Sequence, residues 1–341
     1  MNEDASLLRR RLKRIGLSQG AVDAAWPEWW SASADASPSA QVELRFSLSR
    51  KLGLDPRSLL DEDSEPRFIW HDAARFKNLR GESDLEKDAI TSFGAALGNV
   101  LFAASAARSS LLGTGPSALR SAILANQPFV RLIDLLSLCW SIGVPAVHLR
   151  VFPWESKRMA AMTIRAADRY ALLLAKDSLY PAHIAFYVAH EIGHIALGHL
   201  TSENALVDFD RDELADSSSD AEEAAADAYA LELLTGNPSP KIVSFDGHAS
   251  ARGLADRALQ IGAEIRIEPG TLALCFAYST GSWAIANKAM KYIYSAGKPV
   301  WKEVNRIAWH ELVRENISDD AMPYIESVLG LSEGQIDGRS G

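Results

Sequence analysis

The sequence predicts an α+β fold that is mostly helical, and three observations lead to this prediction. Residues 184–200 (IAFYVAHEIGHIALGHL) carry apolar side chains at helical spacing. Residues 220–234 are rich in alanine, the strongest helix former, and predict a second helix. The composition, 48% hydrophobic and 23% charged residues in a chain of 341, is that of a soluble globular protein with two or three domains.

The first 75 residues are expected to form an all-helical unit. Its first helix is basic, and a segment rich in Ala, Ser and Pro at 31–40 interrupts the unit. The phrases GLSQ (16–19) and KLGLDPRSLLD (51–61) resemble the first and last parts of a lambda-repressor-like (XRE) helix-turn-helix domain. The part that would hold a recognition helix is replaced by WPEWW (26–30) and the interrupting segment.

Two interpretations of this N-terminal unit stay open. Basic residues of the first helix, including Arg9, Arg10 and Arg11, would contact phosphates if the unit binds DNA. The tryptophans of WPEWW instead favour a helical module that binds another protein, because large aromatic side chains often anchor interfaces. DNA is therefore one expected partner of this region, and a protein is the other.

Residues 76–130 are expected to form a helical connector. Within it, residues 89–107 carry no charge and contain Gly94 and Gly98 at the spacing of a GxxxG motif. The segment consists mostly of Ala, Gly, Ser and Thr, so it is far less apolar than a membrane-spanning helix. We therefore expect a buried helix of a soluble core, and no membrane association.

A short motif, His190-Glu191-Ile192-Gly193-His194, lies inside the helix predicted at 184–200. Positions i and i+4 share one face of a helix, so His190 and His194 can bind the same metal ion. Glu191 lies beside the first histidine, where it can take a proton from water without binding the metal. This arrangement is the signature of zinc proteases, in which the metal lowers the pKa of water and the glutamate acts as the base. We therefore expect Zn²⁺ as the cofactor and Glu191 as the catalytic residue.

A catalytic zinc site needs a third protein ligand as well as an open fourth position. His199 would point away from His190 if the helix continued, so we interpret it as a residue of the helix end or the following loop. In the alanine-rich helix, Glu223 and Asp227 are four residues apart and share a face. We expect Glu223 to be the third ligand and Asp227 to accept the other ring N–H of a ligand histidine. Glu222 is the alternative ligand, but we interpret it as a favourable charge in the first helical turn.

These segments together resemble the ImmA/IrrE family of metallo-endopeptidases. The resemblance covers about residues 130–295, and the family has Asn at the position of Asp227. The segment at 201–221 is longer and more acidic than in compact members. The matching motifs are HEIGHIALGH (190–199), ExxADxYAxELL (223–234) and the strand-like segments 143–149, 162–164 and 170–174.

The resemblance implies a zincin-type catalytic domain over residues 131–295, with a small sheet beside the active-site helix. It also implies that a small helical unit at 251–295 closes this domain. The implied substrate is a protein, typically a XRE-type repressor or an antitoxin, cleaved in stress, mobile-element or phage-defence regulation. A donor for the oxyanion of the reaction is expected too, and the candidates are Tyr229, His183 and His248.

Two alternatives to this function stay open. A non-catalytic regulator would keep the fold and act by holding DNA or a protein, but the intact Glu191 favours an enzyme because a scaffold needs no base. A protease toxin would share the chemistry and differ only in its substrate.

The remaining segments predict little chemistry. Residues 203–220 are acidic, and Asp208, Asp210 and Asp212 are spaced like the start of a calcium loop. Glu213 stands where such a loop needs glycine, so we expect a solvated, mobile insertion. Residues 296–341 are expected to form a helical extension that ends in a flexible tail.

Charge, cysteines and the N-terminus narrow the class of protein. The net charge of −9 argues against binding nucleic acid through the whole surface. Cys139 and Cys275 lie among apolar residues and are expected to be buried thiols in a reducing compartment. The first residues lack the apolar core of a signal peptide, so a cytoplasmic location is expected.

Overall fold

The computed structural model describes residues 5–70, 74–77, 83–106, 110–154, 159–200, 205–209, 221–241 and 250–331. It confirms the predicted α+β, mostly helical class, with fifteen α-helices and one five-stranded sheet in these residues. The helices are α1 (Ala5–Arg14), α2 (Gln19–Ala25), α3 (Ala32–Asp35), α4 (Pro38–Leu52), α5 (Pro56–Leu60), α6 (Asp84–Ala103), α7 (Pro116–Leu124), α8 (Leu132–Ser141), α9 (Pro181–Leu197), α10 (Ala221–Thr235), α11 (Ala251–Ile261), α12 (Pro269–Thr280), α13 (Trp283–Ile293), α14 (Val300–Glu311) and α15 (Met322–Leu329). The strands are β1 (Ala74–Lys77), β2 (Ala146–His148), β3 (Met159–Ala166), β4 (Arg169–Leu174) and β5 (Ala205–Phe209).

Capping residues set the ends of the short N-terminal helices. Ser18 caps α2, because its hydroxyl accepts a hydrogen bond of 3.0 Å from the Ala21 backbone N–H. Helix α4 ends at Gly53, whose φ of +70° is a conformation that glycine adopts without strain. A Cβ at Gly53 would lie 2.4 Å from the Ser92 carbonyl oxygen, so glycine also lets α4 approach α6 closely. Where a helix-turn-helix domain would have its recognition helix, the chain has only the single-turn α3, which carries no basic side chain.

The sheet has the strand order β1-β5-β3-β4-β2. Strand β3 is antiparallel to both of its neighbours, β4 and β5, whereas the edge strands β1 and β2 pair in parallel. Strands β2, β3 and β4 lie at the segments 143–149, 162–164 and 170–174 in which strands were expected.

Strand β5 corrects one expectation. It lies in the segment 203–220, which we expected to be a solvated insertion, yet Ala205, Leu206 and Val207 are buried. These apolar residues pair with β3 and β1 inside the sheet, which explains the difference. Residues 203–204 and 210–220 of this segment lie outside the described residues.

Helix α6 covers one face of the sheet. A Cβ at Gly94 would lie 2.5 Å from the Met162 sulfur, and one at Gly98 would lie 2.9 Å from Ile164 Cγ2. The two glycines therefore serve close packing of α6 on β3, as expected for a buried helix. Within the described part of the chain, no helix is long and apolar enough to span a bilayer. Met162 and Ile164 belong to a hydrophobic cluster that also includes residues of the N-terminal helices and of α15.

Helix α9 packs on the opposite face of the sheet. Its Ile192 and Ile195 share a cluster with Ala161 of β3, Leu172 of β4 and Leu206 of β5. The sheet thereby supports the helix that carries the HEIGH motif. Helices α11, α12 and α13 form a further cluster that also contacts the start of α9, which fits the helical unit expected at 251–295.

The C-terminal helices close the other edge of the sheet. Asn305 of α14 accepts a hydrogen bond from the His148 backbone N–H (2.7 Å) and donates to the carbonyls of His148 and Leu329 (2.7 Å each). This buried amide pairs with backbone groups at the edge of β2 and joins them to the end of α15. Helices α14 and α15 lie within the predicted C-terminal extension at 296–341, and its predicted tail at 332–341 lies outside the described residues.

Both cysteines are free and buried, as expected. Burial raises the pKa of the Cys139 and Cys275 thiols to about 12, so both are uncharged at neutral pH. They therefore belong to the packing of the core and not to a thiolate site.

Candidate metal site

The HEIGH motif lies in the last two turns of α9. His190, Glu191 and His194 are each no more than 1% exposed. The two histidines are one helical turn apart, and their Nε2 atoms face each other at 2.9 Å. The helical spacing thus brings both imidazoles to one point, as the sequence predicted.

Glu223 of α10 completes a three-residue cluster with these histidines. Its Oε2 lies 3.5 Å from His190 Nε2, and its Oε1 lies 3.4 Å from His194 Nε2. All three side chains are buried, and one ligand atom from each lies within 4.8 Å of the others. Two imidazole nitrogens and a carboxylate form a donor set that suits a zinc-like divalent cation and leaves a fourth position open. The residues present therefore fit a metal ion.

Glu222 lies elsewhere. Its carboxylate forms an ion pair with Arg75 of β1, and its side chain is about one-third exposed. Neighbouring residues on a helix point about 100° apart, so Glu222 and Glu223 cannot both face α9. The structure brings Glu223, and not Glu222, to the two histidines.

Asp227 lies one turn after Glu223, on the same side of α10. Its Oδ1 is 2.9 Å from Nδ1 of His190, the ring nitrogen that faces away from the cluster. A carboxylate in this place fixes the tautomer and orientation of a metal-binding imidazole. The close approach of the two helices depends on Gly193, where a Cβ would lie 3.2 Å from the Cβ of Tyr229 and 3.3 Å from the Ala226 carbonyl oxygen.

Thr163 of β3 makes a contact in the site that was not predicted from the sequence. Its hydroxyl donates a hydrogen bond to Oε2 of Glu191, and both side chains are buried. Thr163 follows Ala161 by two residues and therefore faces α9, as Ala161 does. Nothing in the local pattern of β3 distinguishes this threonine, because the contact forms only when the sheet and α9 pack together.

His199 makes a second contact in the site that was not predicted from the sequence. Helix α9 ends at Leu197, and Gly198 follows in the left-handed conformation with φ of +78°. The chain therefore reverses, and His199 Nδ1 lies 2.8 Å from His194 Nδ1. Our interpretation of His199 as a residue beyond the helix holds, but its contact with His194 was not foreseen. Gly198 is the signal that could have revealed it, because glycine often stands just after the end of a helix.

The expected oxyanion donors have other contacts in the structure. The Tyr229 hydroxyl donates a hydrogen bond of 2.8 Å to the Thr114 carbonyl, and burial raises the pKa of this hydroxyl. The His183 ring lies between the Ser178 hydroxyl (3.2 Å) and the Asn287 side-chain oxygen (3.3 Å). Burial lowers the pKa of His183, so this ring is mostly neutral at neutral pH. His248 lies outside the described residues.

Comparison with known proteins gives one match. Residues 153–283 match a family model described as Peptidase U49. The matched range is less than half of the chain and includes α9, α10 and strands β3–β5. Searches of curated proteins and of solved structures found no match. The family match supports peptidase activity, and it covers every residue of the candidate metal site.

Proposed function

We propose that the protein is a zinc-dependent endopeptidase that cleaves a protein substrate. The observation that carries this proposal is the buried cluster of His190, His194 and Glu223, with Glu191 beside the first histidine. The Peptidase U49 match supports the reaction class. The donor set supports zinc, because two histidines and a glutamate are a common ligand set of catalytic zinc.

The bound ion would supply Lewis-acid polarisation of the scissile carbonyl and would acidify water. Glu191 takes the proton of the attacking water and passes it to the leaving amine. Thr163 orients the Glu191 carboxylate through its hydrogen bond to Oε2. Asp227 holds the ring of His190, so that the Nε2 lone pair of this histidine is directed into the cluster.

The proposed substrate is a XRE-type repressor or an antitoxin, and this part depends on the resemblance to ImmA/IrrE peptidases. The corresponding biological role is regulation of a stress response, a mobile element or phage defence inside the cytoplasm. A protease toxin would have the same site and a different substrate, so only the identity of the cleaved protein separates the two.

A DNA-binding regulator is the alternative from another class, and the first helix weighs against it. Arg9 pairs with Asp23, and its guanidinium stacks on Trp26 at 3.8 Å. Arg11 is 2% exposed and donates hydrogen bonds to backbone carbonyls between residues 58 and 64. Two of the three arginines expected to contact phosphates are therefore engaged within the protein. The exposed basic residues of α1 are Arg10, Lys13 and Arg14.

The test is Glu191→Gln, which keeps the size of the side chain but cannot accept the proton. Wild type expressed with a repressor encoded in the neighbouring genes should cut it, whereas the variant should retain its metal and cut at least about 10²-fold more slowly. Neutralising Arg10, Lys13 and Arg14 should leave cleavage unchanged. Regulation that survives Glu191→Gln but fails in the neutralised variant would contradict the peptidase proposal and support the DNA-binding regulator.

A further inference from the structure

We infer that His199 is a positioning residue of the metal site: it holds the ring of His194, and Arg75 of β1 holds His199 in turn. This inference rests on the proposed binding of a metal by His190, His194 and Glu223. It extends the site to a strand that lies outside the range matched by the peptidase family.

The two ring nitrogens of His194 have different neighbours. Nε2 faces His190 Nε2 at 2.9 Å and belongs to the cluster, whereas Nδ1 lies 2.8 Å from Nδ1 of His199. A metal bound at Nε2 needs a lone pair there, so the hydrogen of the neutral His194 ring lies on Nδ1. His194 is then the donor and His199 Nδ1 the acceptor. His199 therefore carries its own hydrogen on Nε2.

His199 thus does for His194 what Asp227 does for His190. Each ligand imidazole has a potential acceptor close to its outer nitrogen: His199 Nδ1 lies 2.8 Å from His194, and Asp227 Oδ1 lies 2.9 Å from His190. Such partners fix the ring orientation of a metal ligand and raise its basicity. The neutral acceptor at His199 adds no further negative charge to a site that already buries the carboxylates of Glu191, Glu223 and Asp227. Burying another anion would be costly.

Two backbone contacts fix His199. Its N–H donates a hydrogen bond of 3.0 Å to the His194 carbonyl, which closes the left-handed turn at Gly198. Its carbonyl accepts a hydrogen bond of 2.8 Å from Nη2 of Arg75. The same guanidinium pairs with Glu222, the residue before the third ligand of the cluster. Arg75 therefore contacts both the end of α9 and the start of α10.

The experiment measures metal affinity on the purified full-length chain. The protein is stripped of metal, and its zinc affinity is determined by competition with a chromophoric chelator. His199→Ala should weaken zinc binding by about 10–100-fold, the range typical for loss of such a partner, and Asp227→Ala gives the reference value. His199→Asn offers an acceptor oxygen in place of the ring nitrogen and should restore most of the affinity. The visible spectrum of the Co²⁺-loaded protein should change in His199→Ala and resemble wild type in His199→Asn.

Arg75 is tested with a matched pair of variants. Arg75→Ala removes both the bond to His199 and the ion pair, and it should weaken zinc binding several-fold. Glu222→Ala removes only the ion pair and should leave zinc affinity within about twofold of wild type. Equal losses in the two variants would contradict the role of the His199 carbonyl contact.

The outcomes separate this inference from the proposed function. Wild type that binds no zinc would refute the metal site itself. A folded His199→Ala variant with wild-type zinc affinity and an unchanged Co²⁺ spectrum would overturn the role of His199 while leaving the metal site intact. If His199→Ala does not fold, ¹⁵N chemical shifts of the histidine rings in zinc-loaded wild type decide. They should show the hydrogen of His199 on Nε2, and a hydrogen on Nδ1 would overturn the inference.

Discussion

Glu222 and Glu223 are neighbours in the chain, yet they point in different directions from α10. Glu223 reaches His190 and His194, while Glu222 pairs with Arg75 of β1. The helical phase of α10 relative to α9 therefore decides which carboxylate can bind the metal.

Glu223→Ala should lower zinc affinity by orders of magnitude, because two ligands cannot complete a site. Glu222→Ala should leave zinc affinity nearly unchanged, because it removes only a partly exposed ion pair. Competition titration with a chelator measures both, and each variant is the control for the other. A large loss in Glu222→Ala with a small loss in Glu223→Ala would reverse the assignment.

Spacing along a helix explains why some residues of the site were predictable. His190 and His194, and likewise Glu223 and Asp227, are pairs separated by four residues, so the sequence alone places each pair on one face. Thr163 and His199 reach the site by other routes. Thr163 does so through packing of β3 under α9, and His199 does so through a chain reversal after Gly198, neither of which is visible in helical periodicity.

The site depends on how closely helices α9 and α10 pack against each other. Gly193 faces α10, and a Cβ at this position would lie 3.2 Å from the Cβ of Tyr229. The distance between the helices sets how far Glu223 and Asp227 stand from the histidines. A larger residue at 193 would push the two helices apart.

Gly193→Val should therefore lower zinc affinity and the melting temperature together, because its branched side chain does not fit between the helices. The control is Ala224→Val, which places the same β-branched residue on the exposed side of α10 without touching α9. Calorimetry and chelator competition measure the two effects. Wild-type zinc affinity in folded Gly193→Val would show that the close approach at Gly193 is not needed for the site.

The separation along the chain between paired strands explains which strands were predictable. Strands β3 and β4 are joined by a short turn and have mainly apolar sequences, so a local pattern indicates them. Strand β1 has only four residues and pairs in parallel with β5, which lies far along the chain. No local pattern indicates such a pairing, so no strand was expected in the all-helical unit at 1–75 or in the helical connector at 76–130, although β1 lies across their boundary.

A partly buried ion pair joins the N-terminal helices to the C-terminal segment. Lys51 Nζ of α4 lies 3.0 Å from Asp320 Oδ1, and the Ser47 hydroxyl donates to Oδ2 of the same carboxylate at 2.8 Å. Burial lowers the pKa of the Lys51 ammonium, although Asp320 opposes this effect. Burial alone would raise the pKa of Asp320, but hydrogen bonds from Lys51 and Ser47 and the charge of Lys51 outweigh it and hold this pKa below its ordinary value.

The lowered pKa fixes the sign of a pH effect. A carboxyl whose pKa is lower in the folded state contributes stability above its unfolded pKa and loses it as the pH falls through the folded value. Asp320→Asn should therefore reduce the free energy of unfolding by about 2 kcal/mol near neutral pH, because it leaves the buried Lys51 charge without its partner. The difference in free energy of unfolding from wild type should shrink as the pH falls below about 3.8, the ordinary pKa of an aspartic acid.

Urea unfolding of wild type and Asp320→Asn at the two pH values measures this difference. A loss of the same size at neutral and acid pH would show that the charge of Asp320 is not its cause. Asp319→Asn is the control, since it changes an exposed carboxyl beside Asp320.

The predicted division into segments 1–75, 76–130, 131–295 and 296–341 remains a prediction. Residues of the first, second and last segments share one hydrophobic cluster with a face of the sheet. Examples are Leu48, Phe93 and Tyr324, whose place in a common cluster could not be predicted from composition or periodicity. Core contacts between distant segments depend on the final fold, whereas the class of the fold follows from the patterns of its separate elements.

The central claim is that α9 and α10 hold a metal ion between them, and the metal content of the purified protein tests it most directly. Elemental analysis of wild type should find about one zinc per chain. The double variant His190→Ala/His194→Ala should contain none, while His310→Ala, which changes an exposed histidine of α14, should keep the full amount. Circular dichroism verifies that the variants are folded. A folded double variant with as much zinc as wild type, or a wild type that takes up no metal when zinc is supplied, would contradict the claim.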